Sequence, residues 1–157
     1  MKNLRFYFLV YIIVLSSCDK PVSFEVTRII KNDTGYKITL KVFKEDSIVE
    51  DFVINQNDSL VDKEICDAGP LLWNCPLTWA PDIDSVSVIF DNVKSITYCF
   101  QSSNGSITKD CNVNNKNIIG FSFDGGENGL GYVETSSKVF VFTITDEDYQ
   151  FAKDIGG

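Results

Sequence analysis

Short segments in which apolar and polar residues alternate recur along the chain and constrain its fold more than any other feature. The clearest is Ser85–Phe90, in which every second side chain from Val86 onward is apolar. A period of two places those side chains on one face of a half-buried β-strand. The turn residues Asp91-Asn92 follow, and residues 95–100 are again rich in strand-forming types. The sequence therefore predicts a β-hairpin here.

The same signals predict six further strands. Residues 24–26 and 36–42 are separated by the turn sequence Asn32-Asp33-Thr34-Gly35, so we expect these two strands to pair as a hairpin. The remaining four segments contain the β-branched and aromatic side chains that suit a pleated sheet. They are residues 48–54, a shorter strand over 60–65, and residues 118–123 and 138–144.

Only one helix signal stands out, near the end of the chain. Thr145 is a favourable N-cap residue, and Asp148 lies at the capping-box position. Asp146 and Glu147 suit the positive end of a helix dipole, which predicts a helix over residues 146–153. Many short strands with one short C-terminal helix predict an all-β fold, an antiparallel β-sandwich that is immunoglobulin-like or similar, over residues 24–157. An open β-barrel is the alternative.

The first segment has the organisation of an export signal. Lys2 and Arg5 form a short positive region, and the apolar run 6–15 that follows is ten residues long. That length is typical of the apolar part of a signal peptide and is too short to span a bilayer. We therefore expect residues 1–17 to be a signal peptide that is removed and takes no part in the fold.

The apolar run ends in Leu15-Ser16-Ser17-Cys18, which resembles the lipobox of bacterial lipoproteins. The resemblance implies that Cys18 carries a diacylglyceryl thioether and that signal peptidase II cleaves just before it. Residues 18–23 then form the lipidated cysteine and a short tether. Two or three acyl chains attach a protein stably to a membrane without a spanning helix, so a membrane is the expected partner. The alternative is a buried N-terminal helix in which Cys18 is an ordinary apolar residue.

The charge and the absence of histidine exclude several functions. The chain has no His, 14 Lys and Arg residues and 22 Asp and Glu residues, for a formal charge of −8. Without His it has no Ser-His-Asp or Cys-His triad, and an acidic chain lacks the cationic surface that binds nucleic acid. Removal of residues 1–17 takes away two basic residues and no acidic one, so the mature chain carries −10 over 140 residues.

Apart from Cys18, four cysteines remain, an even number in an exported chain, where disulfides form. We favour the pairs Cys66–Cys75 and Cys99–Cys111 because both close short loops, and the second flanks an Asn-Gly turn signal. The alternative is a zinc site. Its spacing would contain no CxxC pair and would match no structural zinc pattern, so we expect no cofactor.

Several segments resemble small uncharacterised lipoproteins of Bacteroidetes-type bacteria: Asp84 to Asn92, then Ile96-Thr97-Tyr98, and the ending Val141 to Tyr149. The resemblance implies a lipid-anchored envelope protein with no assigned reaction, expected in the outer membrane and facing the periplasm or the cell surface. That lineage O-glycosylates exported proteins at Asp followed by Ser or Thr and an apolar residue. The alternative for such tripeptides is turn chemistry before a strand. Three occur: Asp46-Ser47-Ile48, Asp58-Ser59-Leu60 and Asp84-Ser85-Val86.

One loop carries candidate ligand-binding aromatic residues. Trp73 and Trp79 lie in a proline-rich segment that follows Cys66. Tryptophan offers a large rigid face with a polar N–H, which suits a sugar ring or a protein partner. The alternative is that one or both side chains cap the core.

Two groups of oxygen-bearing side chains are candidate calcium ligands. Asp124, Glu127 and Asn128 lie in a glycine-rich loop, and Asp82 lies two residues before Asp84. Neither group has the spacing of an EF-hand loop. The alternative is an acidic surface turn.

The sequence predicts no active site. Its acidic residues are scattered at turns and strand edges, and a domain this small rarely forms the deep cleft of a glycosidase. We therefore expect a non-catalytic binding or structural module of a bacterial cell envelope, with a glycan or an envelope protein as its partner. The alternative is a small carbohydrate-binding surface lipoprotein that uses Trp73 and Trp79, and a glycan-active enzyme is less favoured.

Overall fold

The structure, a computed structural model, describes residues 23–67, 83–99, 111, 116–119 and 131–156. In these ranges the chain forms nine strands and one short helix. The strands are β1 (Ser23–Asp33), β2 (Ile38–Lys44), β3 (Ser47–Ile54), β4 (Ser59–Asp67), β5 (Ser85–Phe90), β6 (Lys94–Cys99), β7 (Tyr132–Ser136), β8 (Val139–Thr145) and β9 (Lys153–Asp154), and the helix is α1 (Asp146–Phe151).

The described strands form two sheets that pack face to face. Sheet A has the strand order β4-β1-β8-β7, and sheet B has the order β3-β2-β5-β6-β9. Neighbouring strands are antiparallel except β1 and β8, which are parallel and make sheet A mixed. The predicted β-sandwich is confirmed, and the described strands do not close into a barrel.

The core lies between the inward faces of the two sheets and follows the alternation of the strands. In β2, Ile38, Leu40 and Val42 are fully buried, while the residues between them are partly exposed. Full burial of such a side chain contributes about 1.5–3 kcal/mol relative to leaving it in water. Other core side chains are Val26 and Ile30 of β1, Val86, Val88 and Phe90 of β5, Ile96 and Tyr98 of β6, and Phe140, Phe142 and Ile144 of β8.

The predicted pairing of residues 24–26 with residues 36–42 is wrong. β1 and β2 lie in different sheets, and β1 pairs with β4 and β8 instead. The reason is the buried Asn32, whose Nδ2 donates to the carbonyls of Tyr36 at 2.8 Å and Ile54 at 3.2 Å. This amide satisfies carbonyl groups where the chain crosses from one sheet to the other, so the turn sequence forms a corner rather than a hairpin.

The remaining strand predictions have mixed outcomes. The β5–β6 hairpin is confirmed, and β4 is longer than predicted because it continues to Asp67. Sequence reasoning missed β7, in which only Tyr132 is buried, so its apolar alternation is weak. Ile118 and Ile119 lie in a bend rather than in the predicted strand over 118–123, and residues 120–123 lie outside the described residues.

The predicted helix is confirmed at its start and is shorter at its end. The backbone N–H of Thr145 donates to Asp148 Oδ2 at 2.8 Å, as the capping box requires. The helix ends at Phe151 rather than at Lys153. Lys153 begins β9 instead, and its Cα is paired with that of Ser95 of β6.

The predicted disulfide between Cys99 and Cys111 is confirmed, with a Cα–Cα distance of 5.6 Å. Cys66 is also disulfide-bonded. Its predicted partner, Cys75, lies outside the described residues, so that pairing stays a prediction. The Cys99–Cys111 bond connects the end of β6 to Cys111.

Candidate binding surfaces

Most of the predicted site residues lie outside the described residues. This holds for the lipidation site Cys18, for Trp73 and Trp79, and for Asp82. It also holds for the calcium candidates of the glycine-rich loop, Asp124, Glu127 and Asn128. All these roles stay predictions.

Asp84 is the one calcium candidate that the structure describes, and it holds a turn together. Its carboxylate accepts a hydrogen bond from the backbone N–H of Glu45, and its own N–H donates to the Phe43 carbonyl at 2.9 Å. Glu45 and Asp46 have φ values of 48° and 64°, in the left-handed region. Because few residues adopt that region readily, a side-chain acceptor there stabilises the turn between β2 and β3. Across the described ranges, no three Asp, Glu or Cys residues cluster as metal ligands would.

The three candidate O-glycosylation serines differ in accessibility. Ser47 and Ser59 are exposed at the starts of β3 and β4, whereas Ser85 is only 1% exposed at the start of β5. In the folded chain, the first two residues are therefore accessible to solvent and the third is not.

The outer face of sheet A carries an aliphatic side chain on every strand at one level. Ile29 of β1 lies opposite Val61 of β4 and Val141 of β8, and Val141 lies opposite Val133 of β7. We call these four residues the aliphatic row. Val61 is 51% exposed and Val133 63% exposed. Ile65, also on β4, is 72% exposed, so the apolar surface extends beyond the row.

At the level of Lys41, the outer face of sheet B is polar. Lys41 of β2 lies between Asp51 of β3 and Ser87 of β5, and Ser87 lies opposite Thr97 of β6. The hydroxyls of Ser87 and Thr97 are hydrogen-bonded at 2.8 Å. Opposite charges and hydroxyl pairs at facing positions are typical of a sheet face that is exposed to solvent.

Behind the aliphatic row, the inward face of sheet A contains a buried ion cluster. Arg28, which is 0% exposed, places Nη2 2.8 Å from Asp62 Oδ2 and 3.2 Å from Glu64 Oε2. Arg28 and Asp62 are directly opposite each other on β1 and β4. Tyr132 lies nearby and donates its hydroxyl to the Ile118 carbonyl at 3.0 Å. Burial raises the pKa of Tyr132, and the Arg28 charge opposes that shift.

Sequence reasoning missed this cluster, although a signal was present. Arg28 lies in the same alternation register as Val26 and Ile30, and Asp62 lies in the same register as Leu60 and Cys66. A cation and an anion at core positions of two strands predict a buried pair, because neither charge is stable in a core alone.

A second polar cluster links the segment 116–119 to the start of α1. Lys116 Nζ donates to Asp148 Oδ2 at 2.6 Å and to the Thr143 carbonyl, and it lies 4.9 Å from the centre of the Phe142 ring. Burial, and then the nearby Asp148 carboxylate, raise the pKa of Tyr98 above its ordinary value. The cluster joins α1 to both sheets, since Phe142 belongs to sheet A and Tyr98 to sheet B.

At the same end of the sandwich, the rings of Tyr36 and Tyr149 are stacked with their centres 4.0 Å apart. Lys94 Nζ lies 4.8 Å from the centre of the Tyr149 ring, and Phe90 packs edge-on against that ring. A hydrogen bond to Tyr149 raises the pKa of Tyr36. These contacts fix α1 on sheet B, and both tyrosines are partly buried by them.

Comparison with known protein families, with curated proteins and with solved structures found no match. In the ranges that the structure describes, no helix has the length and apolar character needed to cross a membrane. Function therefore has to be inferred from the residues of the chain itself.

Proposed function

We propose that this chain is a lipid-anchored protein of a bacterial cell envelope, exported and attached through acyl chains on Cys18. The observation that carries the proposal is the sequence Leu15-Ser16-Ser17-Cys18, directly after a positive and then an apolar segment. The disulfide between Cys99 and Cys111 supports export, because such bonds persist in oxidising compartments.

The position of Cys18 relative to the fold suits an anchor. The first described strand, β1, begins at Ser23, five residues after Cys18. Five residues span at most about 17 Å when extended. An acyl group on Cys18 thus holds the sandwich close to the bilayer and leaves every strand outside it.

The role that we propose for the exposed domain is binding or structural rather than catalytic. Its distinctive groups are the partly exposed aliphatic row on sheet A, the buried ion pair of Arg28 and Asp62, and the partly buried ion pair of Lys116 and Asp148. Paired buried charges stabilise one arrangement of a core, whereas an exposed aliphatic surface suits contact with a partner.

Replacement of Cys18 tests the anchor. We expect the wild-type chain, expressed in a Gram-negative host with labelled palmitate, to carry label and to sediment with membranes. Cys18→Ala removes the acyl acceptor, so label and sedimentation are both lost. Ser23→Ala, at the exposed start of β1, is the matched control and retains both. An unlabelled wild-type chain that still sediments would contradict the proposal.

Carbohydrate binding through Trp73 and Trp79 is the second proposal. Both residues belong to a segment whose flanking residues, Cys66 and Ile83, are 5% and 7% exposed. Attachment at both ends limits the conformational entropy that a binding loop loses. In a glycan-retention assay, we expect the double variant Trp73→Ala/Trp79→Ala to lose retention with unchanged unfolding. Loss of the fold instead would show that the two side chains belong to the core.

A further inference from the structure

The side chains of the aliphatic row do not pack in the core between the two sheets. Its four side chains come from all four strands of sheet A and point away from the core, since the neighbouring Arg28, Asp62 and Tyr132 point inward and are buried. Sheet B has no aliphatic row across all its described strands, and its exposed aliphatic side chains Ile48, Val49 and Val53 lie on the edge strand β3. The outward aliphatic residues Val53 and Ile89 lie on either side of Thr39, which separates them.

The charges around the row balance. On the outer face of sheet A, Lys63 pairs with Glu25 at 3.3 Å and Lys31 pairs with Asp33 at 3.2 Å. These side chains are between 46% and 59% exposed. In a chain with a formal charge of −8, the charges next to the row on β1 and β4 are therefore paired.

A second copy of the chain is a poor occupant for this face. Four strands about 4.8 Å apart and two or three rows of side chains span roughly 300–400 Å². A stable interface between two proteins buries about 800 Å² on each partner. The apolar part of sheet A is thus too small to hold two freely diffusing copies together.

A bilayer surface fits the face, because an anchor removes the need for a large contact area. The row crosses β1 at Ile29, six residues beyond Ser23 and about 20 Å along the strand. The tether from Cys18 thus reaches the same sheet that carries the row. A tethered surface contacts its partner at a high effective concentration, so a few aliphatic side chains suffice.

We propose that the outer face of sheet A lies against the lipid surface, so that the sandwich rests on its side and turns sheet B outward. This inference rests on the lipid anchor at Cys18 proposed above. The aliphatic row contacts the boundary between head groups and acyl chains, and the ion-paired Lys31 and Lys63 lie at head-group level. Sheet B, with Asp51 and Lys41 on its outer face, is then the surface that meets other envelope components.

Lysine reactivity measures this orientation directly. The lipidated wild-type chain is reconstituted on vesicles of phosphatidylcholine and phosphatidylethanolamine, acetylated briefly, and mapped by mass spectrometry against the soluble Cys18→Ser form. We expect the reactivity of Lys31 and Lys63 to fall by roughly a factor of three or more on vesicles, as for groups moved into the head-group region. Lys41, on the opposite face, is the internal control and keeps its reactivity.

Four other outcomes would overturn the inference, and each is distinguishable. Protection of Lys138 alone, at the turn between β7 and β8, would show that the sandwich stands on its end. Unchanged reactivity of every lysine on a vesicle-bound chain would leave the anchor intact and refute the contact. Protection of Lys31 and Lys63 in the soluble Cys18→Ser form would show that a second copy covers the face. Absence of acyl mass on the Cys18 peptide would refute the proposed anchor itself.

A matched pair of variants separates the row from the tether. Val61→Asp places a charge in the row, and Val53→Asp places one on sheet B at a valine of similar exposure, 60% against 51%. On vesicles, we expect Val61→Asp to restore the reactivity of Lys31 and Lys63 to its value in solution. Val53→Asp leaves both protected. Equal protection in the two variants would overturn the role of the row.

Discussion

Sheets A and B share one core, but they distribute polar and apolar groups in opposite ways. Sheet A carries charges on its inward face, at Arg28 and Asp62, and an aliphatic row on its outward face. Sheet B is apolar inside, as at Leu40, and its outer face carries opposite charges at facing positions and a hydrogen-bonded hydroxyl pair. At the level of Lys41, sheet B therefore has the usual distribution, apolar inside and polar outside. Sheet A departs from it where Arg28 and Asp62 face inward and the aliphatic row faces outward.

The difference shows what decides which face of a strand is buried. A shift by one residue would exchange the two faces of β1, placing Ile29 inside and Arg28 outside. It would also expose Val26 and Ile30, which are buried in the observed register. The burial of all the apolar side chains of the strand decides its register. Arg28 therefore faces the core together with its neighbours, and it needs Asp62 as its partner there.

Removal of the charge inside sheet A is expected to have the largest effect. Arg28→Leu takes the cation out of a buried ion pair, and we expect a loss of about 3–5 kcal/mol in the free energy of unfolding. Urea denaturation measures it. The double variant Arg28→Leu/Asp62→Leu should recover most of the loss, because no lone charge stays buried. Lys31→Leu, in an exposed pair, should cost less than about 1 kcal/mol. Equal effects of Arg28→Leu and Lys31→Leu would contradict the contrast between inner and outer charges.

A cavity inside sheet B is expected to have the next largest effect. Leu40→Ala removes a fully buried side chain from the middle of the sheet, and we expect a loss of about 3 kcal/mol. Leu40→Met keeps most of the volume and should cost under about 1.5 kcal/mol. Thermal unfolding of both variants measures the difference. A similar loss in the two variants would contradict the expectation that the volume of the Leu40 side chain limits stability here.

Alkaline pH tests one buried tyrosine from each sheet. Burial raises the pKa of Tyr132 in sheet A and of Tyr98 in sheet B. In the unfolded chain each hydroxyl ionises at its ordinary pKa, about 10. Each neutral hydroxyl therefore makes its full contribution to the free energy of unfolding below pH 10. As the pH rises above 10, that free energy falls by up to about 1.4 kcal/mol per pH unit for each group.

Phenylalanine variants show which tyrosine causes the loss of stability at alkaline pH. Tyr98→Phe and Tyr132→Phe should each reduce the loss of stability above pH 10, measured by urea denaturation at several pH values. At pH 7 only Tyr132→Phe should be destabilised, by about 1 kcal/mol, because its hydroxyl donates to the Ile118 carbonyl. An unchanged alkaline profile in both variants would show that other groups control it.

The smallest effects are expected on the two outer faces. In the soluble form, Val61→Thr on sheet A should change stability by less than about 0.5 kcal/mol, because its side chain is half exposed. Asp51→Lys on sheet B places a like charge opposite Lys41 and should cost about 0.2–1 kcal/mol. Differential scanning calorimetry compares the two. A larger loss for Val61→Thr would mean that the row supports the fold by itself.

Local patterns predicted local structure well and pairing between distant strands poorly. The hairpin of β5 and β6, the start of α1 and the bond between Cys99 and Cys111 depend on residues close in sequence, and all three are confirmed. The partner of β1 was not predictable in this way, because alternation identifies a strand and not its neighbour. The same holds for the aliphatic row, whose residues Ile29, Val61, Val133 and Val141 meet only through the register of four strands.

The parallel pairing of β1 with β8 has a mechanical consequence for a chain held at Cys18. β1 lies between β4 and β8, bonded to both along most of its length. A pull on the tether acts along β1, at right angles to the hydrogen bonds on either side. The strand cannot be peeled off as an edge strand can, since the bonds of both ladders must shear together. With the anchor that we propose at Cys18, tension on the tether would therefore act on a strand that is hydrogen-bonded on both sides.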